Sequence, residues 1–287
     1  MIDKILSFGK MIKFSHTVFA LPFALSAVIL ALQQYTIHVW DIIWIILAMV
    51  GARSAAMGFN RIVDSLFDAK NPRTAQRAIP SGEISREQSI VFVIAFSLLF
   101  LFSSANLSII CLYCGMPVLL LLFMYSYAKR FTSLCHIYLG FVISLAPMGA
   151  WIAITKNFDW PILVVSLALL THISGFDIIY ACQDYNFDRN QGLFSIPVRY
   201  GIETALYISL FLHILCFLSF VTIYFLFDMN VIYILAVIII GVALLIEHLI
   251  VKPDNLSHIP IAFFNINSAI SLVFFAGIAG DVFLCQM

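Results

Sequence analysis

The sequence predicts an all-α membrane protein: a polytopic bundle of about nine transmembrane helices around a central cavity. Three observations carry that expectation. Apolar residues make up 63% of the 287-residue chain and Asp, Glu, Lys and Arg only 10%, against about 25% charged residues in a soluble domain. The apolar residues fall into repeated runs near the roughly 20 residues that cross hydrocarbon. The basic residues gather at alternate ends of those runs.

In order, the runs lie at about 15–35, 41–63, 88–106, 108–127, 134–155, 161–181, 203–227, 230–250 and 261–284. The third and fourth are poorly separated around Ser103–Ser108. The runs are too long and continuous for barrel strands, and isolated strands would leave unpaired backbone groups in lipid, so each is expected to be a helix. The first run lacks a small-residue cleavage site and more spans follow it, so no cleavable signal peptide is expected. Lys4, Lys10 and Lys13 precede the first run, and Arg61, Lys70, Arg73, Arg77 and Arg86 lie at or beyond the end of the second. Lys129 and Arg130 follow the fourth, Arg189 and Arg199 the sixth, and Lys252 the eighth, whereas the opposite loops hold only Lys156. The positive-inside rule then puts the N-terminus in the cytoplasm, and nine spans put the C-terminus outside. The balance of 15 basic and 15 acidic residues gives no sign of a nucleic-acid partner. Cys111 and Cys114 form a CxxC inside a span with no second pair; these and the other cysteines read as packing residues, with no metal or disulfide assigned.

Chemistry enters at the end of the second helix. Asn60, Asp64 and Asp68 sit four residues apart, which stacks them on one helix face. Arg53 falls on nearly the same stripe, about 10 Å deeper by helical rise. Gly51, Ala52, Ser54, Ala55, Ala56 and Gly58 surround it, small residues that let a neighbouring helix approach. Pro72 disfavours helix at the residue before it, so the helix should end near Lys70. A solvated helix end would account for two acids alone; Asn60 and Arg53 add polar groups within a span, where they are costly and usually line a cavity.

The sixth helix repeats the pattern in FDIIYACQDYNFDRN, with Asp177, Tyr180, Asp184 and Asp188. Spacings of seven and four put the three acids on one stripe with Tyr180 beside it, and Asp177, flanked by apolar residues, is expected to be the most buried. Carboxylates stacked in a low dielectric repel one another and need cations. Asp64 and Asp68 recur 120 residues later as Asp184 and Asp188, and Ile79-Pro80 recurs as Ile196-Pro197. This hints at an internal repeat of about four helices within a single domain over 1–287, the two acidic helices facing each other across a shared cavity at the cytoplasmic side. Two opposed sets of Asp suit Mg²⁺, which prefers oxygen ligands and bridges carboxylates to phosphates. Together with Mg²⁺, cations among Lys70, Arg73, Arg77, Lys129, Arg130, Arg189 and Arg199 would hold a highly charged anion such as diphosphate.

These motifs resemble the UbiA superfamily of intramembrane aromatic prenyltransferases. The matching residues are NRIVDSLFD at 60–68, RTAQRAIPSG at 73–82, YSYAKRFT at 125–132, DIIYACQDYNFD at 177–188 and GLFSIPVRYG at 192–201, and the nine-span layout matches over nearly the whole chain. The resemblance implies Mg-dependent transfer of a polyprenyl group from polyprenyl diphosphate to an aromatic acid in quinone biosynthesis, in a bacterial inner membrane with the site opening to the cytoplasm. By position, Asn60, Asp64 and Asp68 would serve one Mg²⁺–diphosphate site and Asp184 and Asp188 a second, with Asp184 alternatively orienting or deprotonating the acceptor's phenol. Arg73 and Arg77 match loop positions tied to diphosphate. Lys129 and Arg130 match a basic pair near the acceptor, where Arg130 would bind its carboxylate. Arg53, Asp177 and Tyr180 would complete the substrate-binding set, and Lys13 and His16 fall where the family lines its cavity. One departure stands out: Arg61 replaces the first acid of the family's first motif, and it points about 100° off the Asn60–Asp64 stripe. NRIVD followed by DAKNPRTAQRAIPSG is similar to the branch associated with menaquinone made by the futalosine route, which implies a dihydroxynaphthoate acceptor; 4-hydroxybenzoate, the ubiquinone precursor, is the alternative.

Two rivals remain at this level. An ion-coupled transporter also places acids inside the membrane and shows internal repeats, but carriers usually bind near the midplane, whereas these acids cluster at one face. Other superfamily chemistries prenylate haem or chlorophyll side chains or form lipid ethers, and acceptor identity separates those.

Overall fold

The computed structural model describes residues 7–9, 11–12, 17 and 19–286; Lys13 and His16, expected near the cavity, lie outside the described residues. Among the described residues, eight helical runs of 20 to 32 residues are long and apolar enough to cross a membrane, and a shorter apolar helix, α1 (Leu21–Leu32), precedes them. The chain is a multi-pass, all-α membrane protein, and the eight runs with α1 match the expected nine helices. Among the described residues there is no strand, and the one β-type pairing is an isolated bridge between Lys252 and Asn255.

Two compact units emerge, one from residues 1–17 and 39–127, the other from 18–38 and 128–287. The first unit contains α2 (Val39–Lys70), α3 (Arg86–Leu107) and α4 (Ile109–Ala128, whose last residue falls in the second unit). At 1.5 Å per residue the 32 residues of α2 run about 48 Å, well beyond the ~30 Å hydrocarbon thickness. A helix that enters the hydrocarbon near Val39 therefore emerges before its last turns, which carry Asn60, Asp64 and Asp68. As expected from Pro72, it stops at Lys70. The small residues do what their size allows: a Cβ on Gly51 would sit 2.7 Å from the Phe100 nitrogen and one on Gly58 2.9 Å from Val93 Cγ2, so α2 and α3 pack nearly backbone to backbone. The ambiguous stretch between the third and fourth spans resolves at one residue. Ser108 turns extended, and its hydroxyl accepts from Cys111 N at 3.1 Å, capping α4.

The second unit holds α1, α5 (Cys135–Thr155), α6 (Ile162–Ala181), α7 (Tyr185–Asn190), α8 (Ile196–Tyr200), α9 (Ile202–Leu226), α10 (Val231–Ile250) and α11 (Asn267–Asp281), the last flanked by π-helical turns at Ile261–Ile266 and Val282–Gln286. The helix α1 is shorter than the expected run of about 15–35. Pro22, lacking an N–H, sits in its first turn, where that donor has no partner to lose. Gly140 on α5 lies against Ser174 and the Leu170 carbonyl of α6, so that pair also approaches closely. Fully buried Phe23, Phe220 and Phe274 stack on one another in the core of this unit, with ring centroids 4.6 to 6.1 Å apart.

The expected single acidic stripe on the sixth span is modified. The chain leaves α6 at Ala181, tightens through a 3₁₀ turn at Cys182–Asp184, and resumes α-helix at Tyr185. Each 3₁₀ residue advances by about 120° rather than about 100°, so Asp184 and Asp188 are rotated by some tens of degrees from where an unbroken helix would carry them relative to Asp177.

Candidate active site

In the first unit, Asn60 donates to Asp64 through Nδ2–Oδ2 at 2.8 Å, the bond that four-residue spacing permits. Beyond Lys70 the chain folds back on its own helix end. Asn71 forms a side-chain turn, accepting from Arg73 N at 3.0 Å, and Thr74 Oγ1 donates to the Asp68 carbonyl at 3.1 Å. That fold-back brings Arg77 Nη1 to both oxygens of Asp68, at 2.7 and 2.8 Å. Gly82, with φ of +78°, closes the turn in a conformation that a side chain would strain. A capping box of Ser85 and Gln88 then starts α3. The sequence assigned Asp68 to metal and Arg77 to diphosphate; here the two are joined to each other. Arg73 is exposed on the same loop and Arg53 is half-buried two turns before Asn60.

Arg61 is the residue of this unit that the sequence underrates. It is buried, donates from Nε to the Met11 carbonyl at 3.2 Å, and reaches Asn60 Oδ1 through Nη1 at 3.5 Å. The odd residue of the motif thus pins the N-terminal segment to α2 and abuts the amide that bonds Asp64. Only the departure from the family pattern pointed to it.

In the second unit Lys129 and Asp188 form a salt bridge at 3.3 Å, with the lysine side chain one-third exposed and the aspartate nearly closed off. Burial opposes the lysine's charge, but Asp188, with further help from Asp177 and Asp184, holds the ammonium above the ordinary lysine value. The Lys129 carbonyl accepts from Phe194 N at 2.7 Å and the Asp188 carbonyl from Leu193 N at 2.9 Å, so the loop after the second acidic motif is tied to both ends of the pair. Ser195 caps α8, accepting from Val198 N, and Pro197 occupies the first turn. Arg130 is exposed next to Lys129. Tyr180 stacks on Phe263 with ring centroids 4.1 Å apart.

One expectation about these acids is reversed. Asp177 is not the most buried: its side chain is 16% exposed against 4% for Asp188. Apolar neighbours in sequence point to other sides of a helix, and burial follows what covers each face. Asp188 lies beneath Lys129 and the turn that follows it. Asp177 faces His136 of α5, whose Nδ1 stands 2.7 Å from its Oδ2. His136 had no motif to announce it, since nothing in a sequence tells which residue of the preceding helix will meet an acid.

The UbiA prenyltransferase family pattern matches residues 20–269. A 4-hydroxybenzoate octaprenyltransferase of Legionella pneumophila is 30% identical over 167 residues, 58% of this chain and 59% of that one. The chain spans about half the length of the curated relatives it matches, 43% in one alignment and 61% in another. Among solved structures, a UbiA homolog from Aeropyrum pernix superposes with a TM-score of 0.84 at 30% identity, covering 93% of this chain and 98% of that one. A UbiA homolog from Archaeoglobus fulgidus, solved bound to GPP and Mg²⁺, shares the fold at 18% identity and a TM-score of 0.75, over 97% of this chain and all of the other.

Proposed function

This chain belongs to the UbiA prenyltransferase family, and from that premise we propose that it transfers a polyprenyl group from polyprenyl diphosphate to an aromatic acid. The observation that carries the reading is the pair of acid–cation motifs, Asn60, Asp64 and Asp68 with Arg77, and Asp184 and Asp188 with Lys129, each set at a helix end by its own returning loop. We assign each motif to binding diphosphate with metal, and 1–287 to one catalytic domain with an internal repeat of about four helices. The family's curated relatives named as 4-hydroxybenzoate octaprenyltransferases support an aromatic acid as acceptor.

The acids fit magnesium in one way and not in another. Among the described residues no cluster of three or more His, Cys, Asp or Glu side chains is placed to hold a metal ion by itself. Asp68 and Asp188 already share their oxygens with Arg77 and Lys129. Carboxylate oxygens in this state suit an ion that takes one or two ligands from protein and the rest from phosphate and water, which is how Mg²⁺ is commonly held. Asp64 and Asp68 would be the protein ligands at the first motif, and Asp184 and Asp188 at the second. When bound, the ion would supply charge neutralisation for the departing diphosphate.

The chain's own residues do the rest. Arg73, Arg77 and Lys129 neutralise diphosphate as the bond between its oxygen and the first prenyl carbon breaks, a charge placed before the reaction begins. Arg53 and Asn60 line the approach on α2. Tyr180 offers an aromatic face to the allylic cation, which the electron-rich acceptor ring attacks before losing a proton. Arg130 binds the acceptor's carboxylate. The site opens to the cytoplasm of a bacterial inner membrane, with the N-terminus on the same side, as the distribution of Lys and Arg favours.

Incubating membranes that contain the protein with a polyprenyl diphosphate and each of 4-hydroxybenzoate and the candidate dihydroxynaphthoates, and weighing the products by mass spectrometry, tests this reading. A prenylated aromatic acid is expected from at least one. A lipid ether product, or no product with any of these acids, would reject the acceptor class.

A further inference from the structure

His136, which none of the motifs above includes, pairs with Asp177 of the second acidic motif. His136 is fully buried in the first turn of α5, and among the described residues its ring is the one hydrogen-bonded partner of Asp177 on α6, at 2.7 Å. An aspartate carboxylate only accepts, so Nδ1 carries the proton and donates. The other ring nitrogen, Nε2, is buried without any hydrogen-bond partner, a costly arrangement that fixes the ring by one bond alone and makes that bond the ring's polar function. Part of the Asp177 side chain stays open. Asp177 stands seven residues before Asp184, about 10 Å back along the helix, away from the carboxylates assigned to diphosphate.

We propose that His136 is a positioning residue: its Nδ1–H holds the Asp177 carboxylate so that Asp177 accepts a hydrogen bond from the hydroxyl of a hydroxylated aromatic acceptor. The inference rests on the prenyltransferase reading and adds to it a residue outside its motifs and an acceptor-side role for Asp177. It separates His136 from a packing residue because the two roles respond differently to shape. An Asn side chain can present its amide nitrogen where Nδ1 lies, whereas Gln presents its own one bond further out, near Nε2.

The test is steady-state kinetics of the purified full-length protein in detergent, varying a polyprenyl diphosphate and 4-hydroxybenzoate or the dihydroxynaphthoate in turn, for the native protein, H136N, H136Q, D177N and H136Q/D177N. H136Q is expected to lower kcat/KM for the acceptor about tenfold or more, the scale of one hydrogen bond to a charged group, while KM for the diphosphate substrate stays within about twofold. H136N should retain activity within about threefold of the native protein, and the double variant should be no worse than D177N alone, because both changes break one unit. Equal losses in H136N and H136Q, native kinetics in a folded H136Q, or losses that simply multiply would each overturn the positioning role. If H136Q fails to fold, D177N must itself show the acceptor-side loss or the inference fails. An inactive native protein would overturn the functional reading and this inference together; an active native protein with any of the contrary variant results overturns the inference alone.

Discussion

Asp64→Asn and Asp184→Asn are each expected to reduce turnover by at least about a hundredfold to a thousandfold, the cost of removing one preorganised charge-stabilising group from a transition state. The change is chosen to remove charge and little else. In the folded protein Asp64 accepts from Asn60 Nδ2, and an amide oxygen at the same place can accept that bond. Asp184 is 8% exposed at the end of a short 3₁₀ turn, and an amide of nearly the same volume leaves its packing intact. Both variants should therefore insert, elute and melt as the native protein does. The measurement is initial-rate product formation with melting in detergent run in parallel. Near-native turnover in either folded variant would remove that acid from the proposed metal and diphosphate site. Equal loss in both is the informative outcome, because the two acids belong to different compact units and share neither a helix nor a loop.

Stripping the protein of divalent ions should abolish turnover, and Mg²⁺ alone should restore it. The reason lies in the balance of charge at each motif. Arg77 and Lys129 are committed to Asp68 and Asp188 at 2.7 and 3.3 Å, so each cation offsets an acid before substrate arrives. A diphosphate brings further negative charge to carboxylates that already repel one another in a medium of reduced dielectric. Divalent ions reverse that repulsion by bridging acid and phosphate. Calcium, with longer bonds and looser geometry, is expected to restore less activity than magnesium. Assays after exhaustive chelation, with each ion added back, check this. Full activity without added metal would show that the basic residues suffice.

Much of this arrangement was legible in the sequence because the membrane makes sequence literal. A span must be a long apolar run, so the helices from Val39 onward fall close to where composition puts them. Spacing of four residues fixes Asn60 against Asp64 in any helix, and a proline two residues after Lys70 fixes where that helix stops. What the sequence concealed was tertiary. The 3₁₀ turn at Cys182–Asp184 breaks a stripe that spacing alone would draw straight, and no residue in it forbids α-helix. The Arg77–Asp68 and Lys129–Asp188 pairs need loops to fold back by several residues, which no local pattern encodes. The relative burial of Asp177 and Asp188 depends on what covers each face, and the choice of His136 as the partner of Asp177 depends on how α5 and α6 meet. Arg61 reads as one more interfacial cation until its bond to the Met11 carbonyl is seen.

The central claim is that the acids of each motif act on diphosphate with divalent metal. Equilibrium binding of a non-reacting polyprenyl thiodiphosphate, titrated with and without Mg²⁺ for the native protein, D64N and D184N, tests it most directly. The account predicts Mg²⁺-dependent binding by the native protein and a large loss of that dependence in each single variant. Native-like, Mg²⁺-dependent binding by either variant would contradict it.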